Sequence, residues 1–172
     1  MSTRLVLPTG VASFPNLFEP SGLPGTEPKY SITVLFDKKE DLSQLKAACD
    51  AAVLKKWPDA ASRPANITMP VMDGDDKKDA SGKQRPEFEG RKYILAKAKM
   101  SHPPKAIQAN LQPILDASEI YGGAEVKVSV TAYGWTFGGK NGVSLGLNVV
   151  QKVGEGEKFG GSVDIQDEFT AF

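Results

Sequence analysis

The stretch "KYSITVLF" alternates, with Tyr30, Ile32, Val34 and Phe36 on one side and Lys29, Ser31, Thr33 and Leu35 on the other. A period of two predicts a half-buried strand. The period then changes: in "DKKEDLSQLKAACDAAVLKKW", Leu42, Leu45, Cys49, Ala52 and Val53 recur at helical spacing, and Pro58 marks the end of one amphipathic helix. Alternation returns in "RKYILAKAKM", and again in "AEVKVSVTAYGW" and "VSLGLNVVQKV", which "TFGGKNG" joins as a glycine-rich turn. Between them, residues 70–90 are polar, aperiodic and rich in Gly, Pro and charge, which predicts a long loop. Several strands, one helix and glycine hairpins predict a mainly β fold, an antiparallel sheet closed as a small barrel or packed as a sandwich.

Composition narrows this picture. A chain of 172 residues, 40% of them hydrophobic, builds one core of ordinary size. No run approaches a membrane helix, and "MSTRLVLPTG" lacks the apolar centre of a signal peptide, so a cytosolic protein is expected. Cys49 and His102 each stand alone, which argues against a disulfide framework or a Cys/His metal site; no cofactor and no metal are expected. The zero formal charge hides an asymmetry. Residues 1–153 carry 20 Lys and Arg against 16 Asp and Glu, whereas residues 154–172 carry Lys158 against Glu155, Glu157, Asp164, Asp167 and Glu168. The expected organisation is a basic domain over 1–153 and a flexible acidic C-terminal tail over 154–172. Phe169 and Phe172 sit among the tail's acids, which solubility alone does not explain.

The strand "RKYILAKAKM" places Ile94, Ala96, Ala98 and Met100 toward a core and Arg91, Tyr93, Lys97 and Lys99 on the other face. From Lys83 to Lys105 there are seven basic residues and two acidic ones, interleaved with Phe88, Tyr93 and His102. The strand from Ala124 repeats the arrangement, with Val126, Val128, Val130 and Ala132 inward and Lys127, Thr131, Tyr133 and Trp135 outward. Aromatic rings on a basic sheet face suit single-stranded nucleic acid, because bases stack on the rings while lysines neutralise phosphates. The alternative for Tyr133 and Trp135 is ordinary packing under a loop or the helix. Two look-alikes fail. "GWTFGGKN" has the glycines and Lys140 of a phosphate-binding loop, but Asn141 replaces the required Ser/Thr and a strand follows instead of a helix. "DGDDKKDASGKQ" lacks the central glycine and final glutamate of a calcium loop. No catalytic machinery is visible, so no enzymatic activity is expected.

"VASFPNLFEP", "EPKYSITVLF", "ANLQPILDASEIYGGAEVKVSVTAYGW" and "GVSLGLNVVQKV" together resemble the single-stranded-DNA-binding proteins of tailed phages, in order along the chain but not across residues 59–90. The resemblance implies an OB-type β-barrel, sequence-independent binding of single strands in phage replication, recombination or repair, an acidic tail ending in an aromatic residue, and action in the cytoplasm of the infected bacterium. The site residues rest on strand patterning instead. Arg91, Lys97, Lys99 and Lys127 are expected on phosphates; Tyr93, Tyr133 and Trp135 are expected to stack bases, with Phe88 and Lys83 on a loop closing over the bound strand. The tail residues Asp164, Asp167, Glu168, Phe169 and Phe172 are expected to compete with DNA and to bind a replication partner such as the phage polymerase. The rival readings are a phage virion or assembly β-protein, with its aromatics in interfaces, and a nucleotide-hydrolysing enzyme using Lys140.

Overall fold

The computed structural model describes residues 3–22, 24–25, 27–76, 82 and 88–156. In chain order its strands are β1 (Arg4–Val6), β2 (Gly10–Ser21), β3 (Lys29–Asp37), β4 (Met72–Asp73), β5 (Arg91–Lys99), β6 (Lys105–Ile107), β7 (Glu125–Phe137) and β8 (Lys140–Gly154), with helix α1 (Ser43–Lys56) between β3 and β4. Five of them close a ring: β2 pairs with β3, β3 with β5, β5 with β8, β8 with β7, and β7 returns to β2. Every contact in the ring is antiparallel except β5–β8. A closed five-stranded ring with this one parallel contact is an OB-like barrel, and closure removes the exposed edges an open sheet would carry.

The alternating positions explain the core. Ile32, Val34 and Phe36 of β3, Ile94, Ala96 and Ala98 of β5, and Val126, Val128, Val130 and Ala132 of β7 are all buried in one cluster. Each large aliphatic chain buried there stabilises the fold by roughly 1.5–3 kcal/mol. Met100 departs from the expected pattern: β5 ends at Lys99, and Met100 is exposed. Helix α1 turns Leu45, Ala48, Cys49, Ala52 and Val53 into the same cluster and packs chiefly against β7.

β2 was not legible as a strand, because Pro15 and Pro20 interrupt it and its alternation slips. The slip is a bulge. Ser13 pairs with Thr33 and Asn16 with Ser31, so one extra residue is accommodated, and Phe14 takes φ +47°. A non-glycine residue in that region costs on the order of 1–3 kcal/mol, and bulges re-aim side chains. Here the bulge turns the Phe14 ring onto Phe88, stacked at 6.4 Å between centroids.

The β7–β8 hairpin continues past the ring. Phe137 pairs with Lys140 across a two-residue turn in which Gly138 and Gly139 have φ of +59° and +79°. Two consecutive positive φ values make a type I′ turn, the turn whose twist matches paired strands and which glycine adopts without strain. The glycines and Lys140 that imitate a phosphate-binding loop therefore belong to a hairpin. At the opposite end, the Tyr121 hydroxyl accepts from the Gly156 amide at 3.0 Å and holds the residues after β8 against the barrel.

Burial removes water from the Cys49 thiol and pushes its pKa up to about 11, with the neighbouring Asp50 charge a smaller cause. Reactive thiolate at pH 8 should then be about two orders of magnitude scarcer than for a free cysteine near 8.5. Ellman's reagent should accordingly label Cys49 slowly in the native protein and fast in denaturant; rapid native labelling would place the thiol outside the core.

Candidate nucleic-acid interface

Residues paired across a sheet project to the same side. The ladders therefore define one row across the barrel's outer surface: Arg4 of β1 faces Thr131 of β7, Thr131 faces Gly146 of β8, Gly146 faces Lys97 of β5, Lys97 faces Ser31 of β3, and Ser31 faces Asn16 of β2. The adjacent pair, Lys99 with Lys29, widens the row on its basic side. None of the paired residues in the row is a carboxylate, and Lys29, Lys97 and Lys99 make this face basic. Tyr133, 47% exposed, belongs to the same surface. A Cβ built on Gly146 would lie 3.8 Å from Tyr133 Cε1, so the ring rests over that glycine beside Lys97. The Asn148 amide donates to Thr131 Oγ1 at 3.0 Å and fixes the floor next to it. On the β2 side the face is bordered by the exposed rings of Phe14 and Phe18.

Of the residues anticipated from patterning, Lys97, Lys99 and Tyr133 come together here. Others do not. Tyr93 is on the outer side of β5 as expected, but only 8% exposed, and Phe88 is fully buried. Their rings meet edge-on, 5.0 Å apart at 79°, in a second small cluster with Leu35. Neither ring offers a free face to a base, because the chain before β5 folds back over this end of the outer surface. Asp75 pins that fold: its carboxylate pairs with Lys38 and accepts from the Gly90 amide at 2.9 Å. The carboxylate's hydrogen bond is the chief reason the Lys38 pKa is raised. Arg91 faces Asp37 at this covered end and is half-buried.

Trp135 is half-buried. Its indole lies against Gly142, where a Cβ would approach Cζ2 to 2.5 Å, and its buried N–H finds no acceptor among the described residues. Lys127 lies four residues before Thr131 on β7, in a cleft with Val6, Glu40, Asp41 and Leu42. That cleft also holds two carboxylates, and Lys127 stands apart from the row. Lys83 and the tail residues Asp164, Asp167, Glu168, Phe169 and Phe172 lie outside the described residues.

Sequence reasoning missed Arg4, Asn16, Phe14, Phe18 and Lys29. The first four sit on strands whose alternation is short or interrupted; Lys29 alternated correctly, and only the ladder to Lys99 gives it a site. Phe137, 82% exposed at the hairpin tip, was legible only as part of a turn. Among the described residues no three His, Cys, Asp or Glu side chains are grouped to hold a metal, and no helix is long and apolar enough to cross a membrane.

Comparison with known proteins bears on this face. The sequence matches the family described as Enterobacter phage Enc34, ssDNA-binding protein, over residues 3–172. Among solved structures, the fold is similar to the single-stranded DNA-binding protein from bacteriophage Enc34 in complex with ssDNA, with TM-score 0.73 and 25% identity, covering 92% of this chain and 90% of that one. A second structure of the Enc34 protein gives TM-score 0.73 and 26% identity, covering 96% and 89%. At 15% identity, gp2.5, a single-stranded DNA binding protein encoded by bacteriophage T7, shares the fold with TM-score 0.58, covering 94% and 97%. No curated protein sequence matches.

The burial of Phe88 and Tyr93 gives a stability prediction in place of a binding one. Phe88→Ala should cost about 3 kcal/mol, the usual penalty for emptying a buried aromatic site, and Tyr93→Ala should also lower the melting temperature. Chemical denaturation checks both; a loss below about 1 kcal/mol for Phe88→Ala would mean the second cluster does not hold the loop down.

Proposed function

The chain belongs to the family of the Enterobacter phage Enc34 ssDNA-binding protein, and from that premise we propose that it binds single-stranded DNA, without regard to sequence and without catalysis, across the row from Arg4 to Asn16. The carrying observation is the register that sets Lys97 beside Gly146 under the Tyr133 ring. Lys29, Lys97 and Lys99 neutralise phosphates, Tyr133 stacks a base, and Phe14 and Phe18 supply apolar surface on the far side of the track. Lysine ammonium groups read charge and an aromatic ring accepts any base, so the face carries no means of reading base order. The protein acts in the cytoplasm of the infected bacterium, where replication, recombination and repair of phage DNA expose single strands.

The acidic tail has the charge to compete for the same face. Tethering holds the tail near the face at an effective concentration in the millimolar range. A longer DNA strand displaces it, and the freed Phe169 and Phe172 among acids then offer a handle for a basic pocket on a replication partner such as the phage polymerase.

Four outcomes are expected. Tyr133→Ala should weaken binding to oligo(dT) by about 1–3 kcal/mol while leaving the melting temperature nearly unchanged. Wild-type affinity should fall with salt at a logarithmic slope of about −0.7 per contacted phosphate, and Lys97→Gln should reduce that slope. Fluorescence anisotropy measures the affinities and slopes and thermal denaturation the melting temperature; a salt-independent affinity or an absence of binding would favour a virion or assembly role. Removing residues 164–172 should tighten DNA binding, most at low salt where charge competition is least screened, and Phe172→Ala should weaken polymerase pull-down with little change in DNA affinity. Unchanged low-salt affinity after truncation would dispose of the competition.

A further inference from the structure

The β7–β8 hairpin has two unlike sides and an apolar point. Tyr133, Trp135 and Phe137 alternate onto the side continuous with the single-strand face. Phe137 lies four residues past Tyr133, about 13 Å further along the strand, where the ring of five strands has ended. Its own side chain is 82% exposed, and Lys140, its partner across the turn, projects beside it. On the reverse side, Gly134 receives the end of α1: a Cβ there would meet Lys56 Cβ at 2.8 Å and Trp57 Cζ3 at 3.3 Å. The stem of Lys56 therefore lies on the ribbon, and the exposed Lys55 and Lys56 form the basic last turn of the helix. The ribbon is stiff. Its turn is type I′, Thr136 Oγ1 donates to Asn141 Oδ1 at 2.8 Å, and Thr68 bonds along its edge, accepting from Val143 at 2.8 Å and donating to Asn141 at 3.0 Å.

We infer that this hairpin recognises the junction between single-stranded and duplex DNA: Phe137 caps or parts the last base pair, one strand runs along the Tyr133 side, and the other passes the Lys55–Lys56 side. An exposed phenylalanine on a rigid support is the kind of wedge that proteins insert between base steps, where it partly unstacks them. Cations on both sides of a wedge answer a specific need, since a duplex that divides presents two phosphate backbones. A ring serving the single strand alone would have no use for the lysines behind the ribbon. Lys140, at the tip, meets the backbone where the strands part. The inference rests on the single-strand reading of the row, and it adds a second partner structure to it.

The test uses the full chain and three dye-labelled probes: a plain oligo(dT) tract, and the same tract joined to a short duplex hairpin at its 5′ or its 3′ end. The wild-type protein should bind one of the two junction probes at least about fivefold tighter than the plain tract, the worth of one added stack. Phe137→Ala should abolish that gain and change affinity for the plain tract less than about twofold. Lys55→Gln with Lys56→Gln should lower the salt slope on the junction probe only. A 2-aminopurine in the terminal base pair should brighten on binding wild type and stay dim with Phe137→Ala. Equal affinity of wild type for all three probes would overturn the inference, and so would an equal loss on plain and junction probes in Phe137→Ala, which would put the ring in the single-strand track. If the wild-type chain fails to bind plain oligo(dT), the single-strand reading itself falls, and this inference with it.

Discussion

Only two residue pairs join β5 to β8, Ala96 with Leu145 and Lys97 with Gly146, yet they turn a folded ribbon into a ring. The rest of the protein depends on that short parallel contact. On its inner side it brings two apolar chains into one core, where Leu145 and Ala96 are both buried. On its outer side it sets a lysine from the middle of the chain beside a glycine close to its end, and the Tyr133 ring comes with the glycine. Two pairs supply few hydrogen bonds, so the contact is held mainly by the core behind it. Core and binding face are thus two sides of one constraint: whatever loosens the packing of Ile94, Val130 or Leu145 also separates Lys97 from Tyr133.

Glycine makes the outer surface usable. Within strands it costs about 0.5–1 kcal/mol relative to alanine, and β8 carries it at Gly142 and Gly146 while β7 carries it at Gly134. Each is the place where something large lies flush on the backbone: Trp135 on Gly142, Tyr133 over Gly146, and the stem of Lys56 with the edge of Trp57 on Gly134. The lost local stability is offset by the long antiparallel ladder between the two strands, the most extensive pairing in the fold. That ladder lets a thin ribbon extend beyond the barrel without unravelling.

The outer surface is also divided. At one end Phe88 seals Tyr93 and Leu35 beneath the chain that precedes β5; at the other, Lys97 and Lys99 remain exposed and Lys29 half-exposed. Phe14 stands at the boundary, half exposed and stacked on the buried Phe88. Its strained backbone is compensated by that stacking, which couples the border of the binding face to the stability of the covered end. A ligand touching Phe14 therefore meets a ring already fixed in place, with little conformational entropy left to lose.

What repeats locally could be read from the order of residues. The alternation of β3, β5 and β7 and the period of α1 marked most of the residues that face the core, Met100 excepted, because a two-residue or 3.6-residue period is a property of neighbouring positions. The sequence also disclosed the charge division between body and tail, a matter of counting. Lys97, Lys99 and Tyr133 were readable as outward residues for the same reason. Tertiary structure alone decided which outward residues share a surface and which are covered. Alternation puts Tyr93 and Lys97 on the same side of one strand, but only the returning chain, brought there by Asp75 and Phe88, buries the first and leaves the second open. Nor could it say that Lys127 would line a cleft with Glu40 and Asp41, that β2 would pair with β3 through a bulge at Phe14 despite its prolines, or that the end of α1 would come to rest behind the hairpin. Each of these depends on contacts between residues far apart in sequence, and a local period carries no information about them.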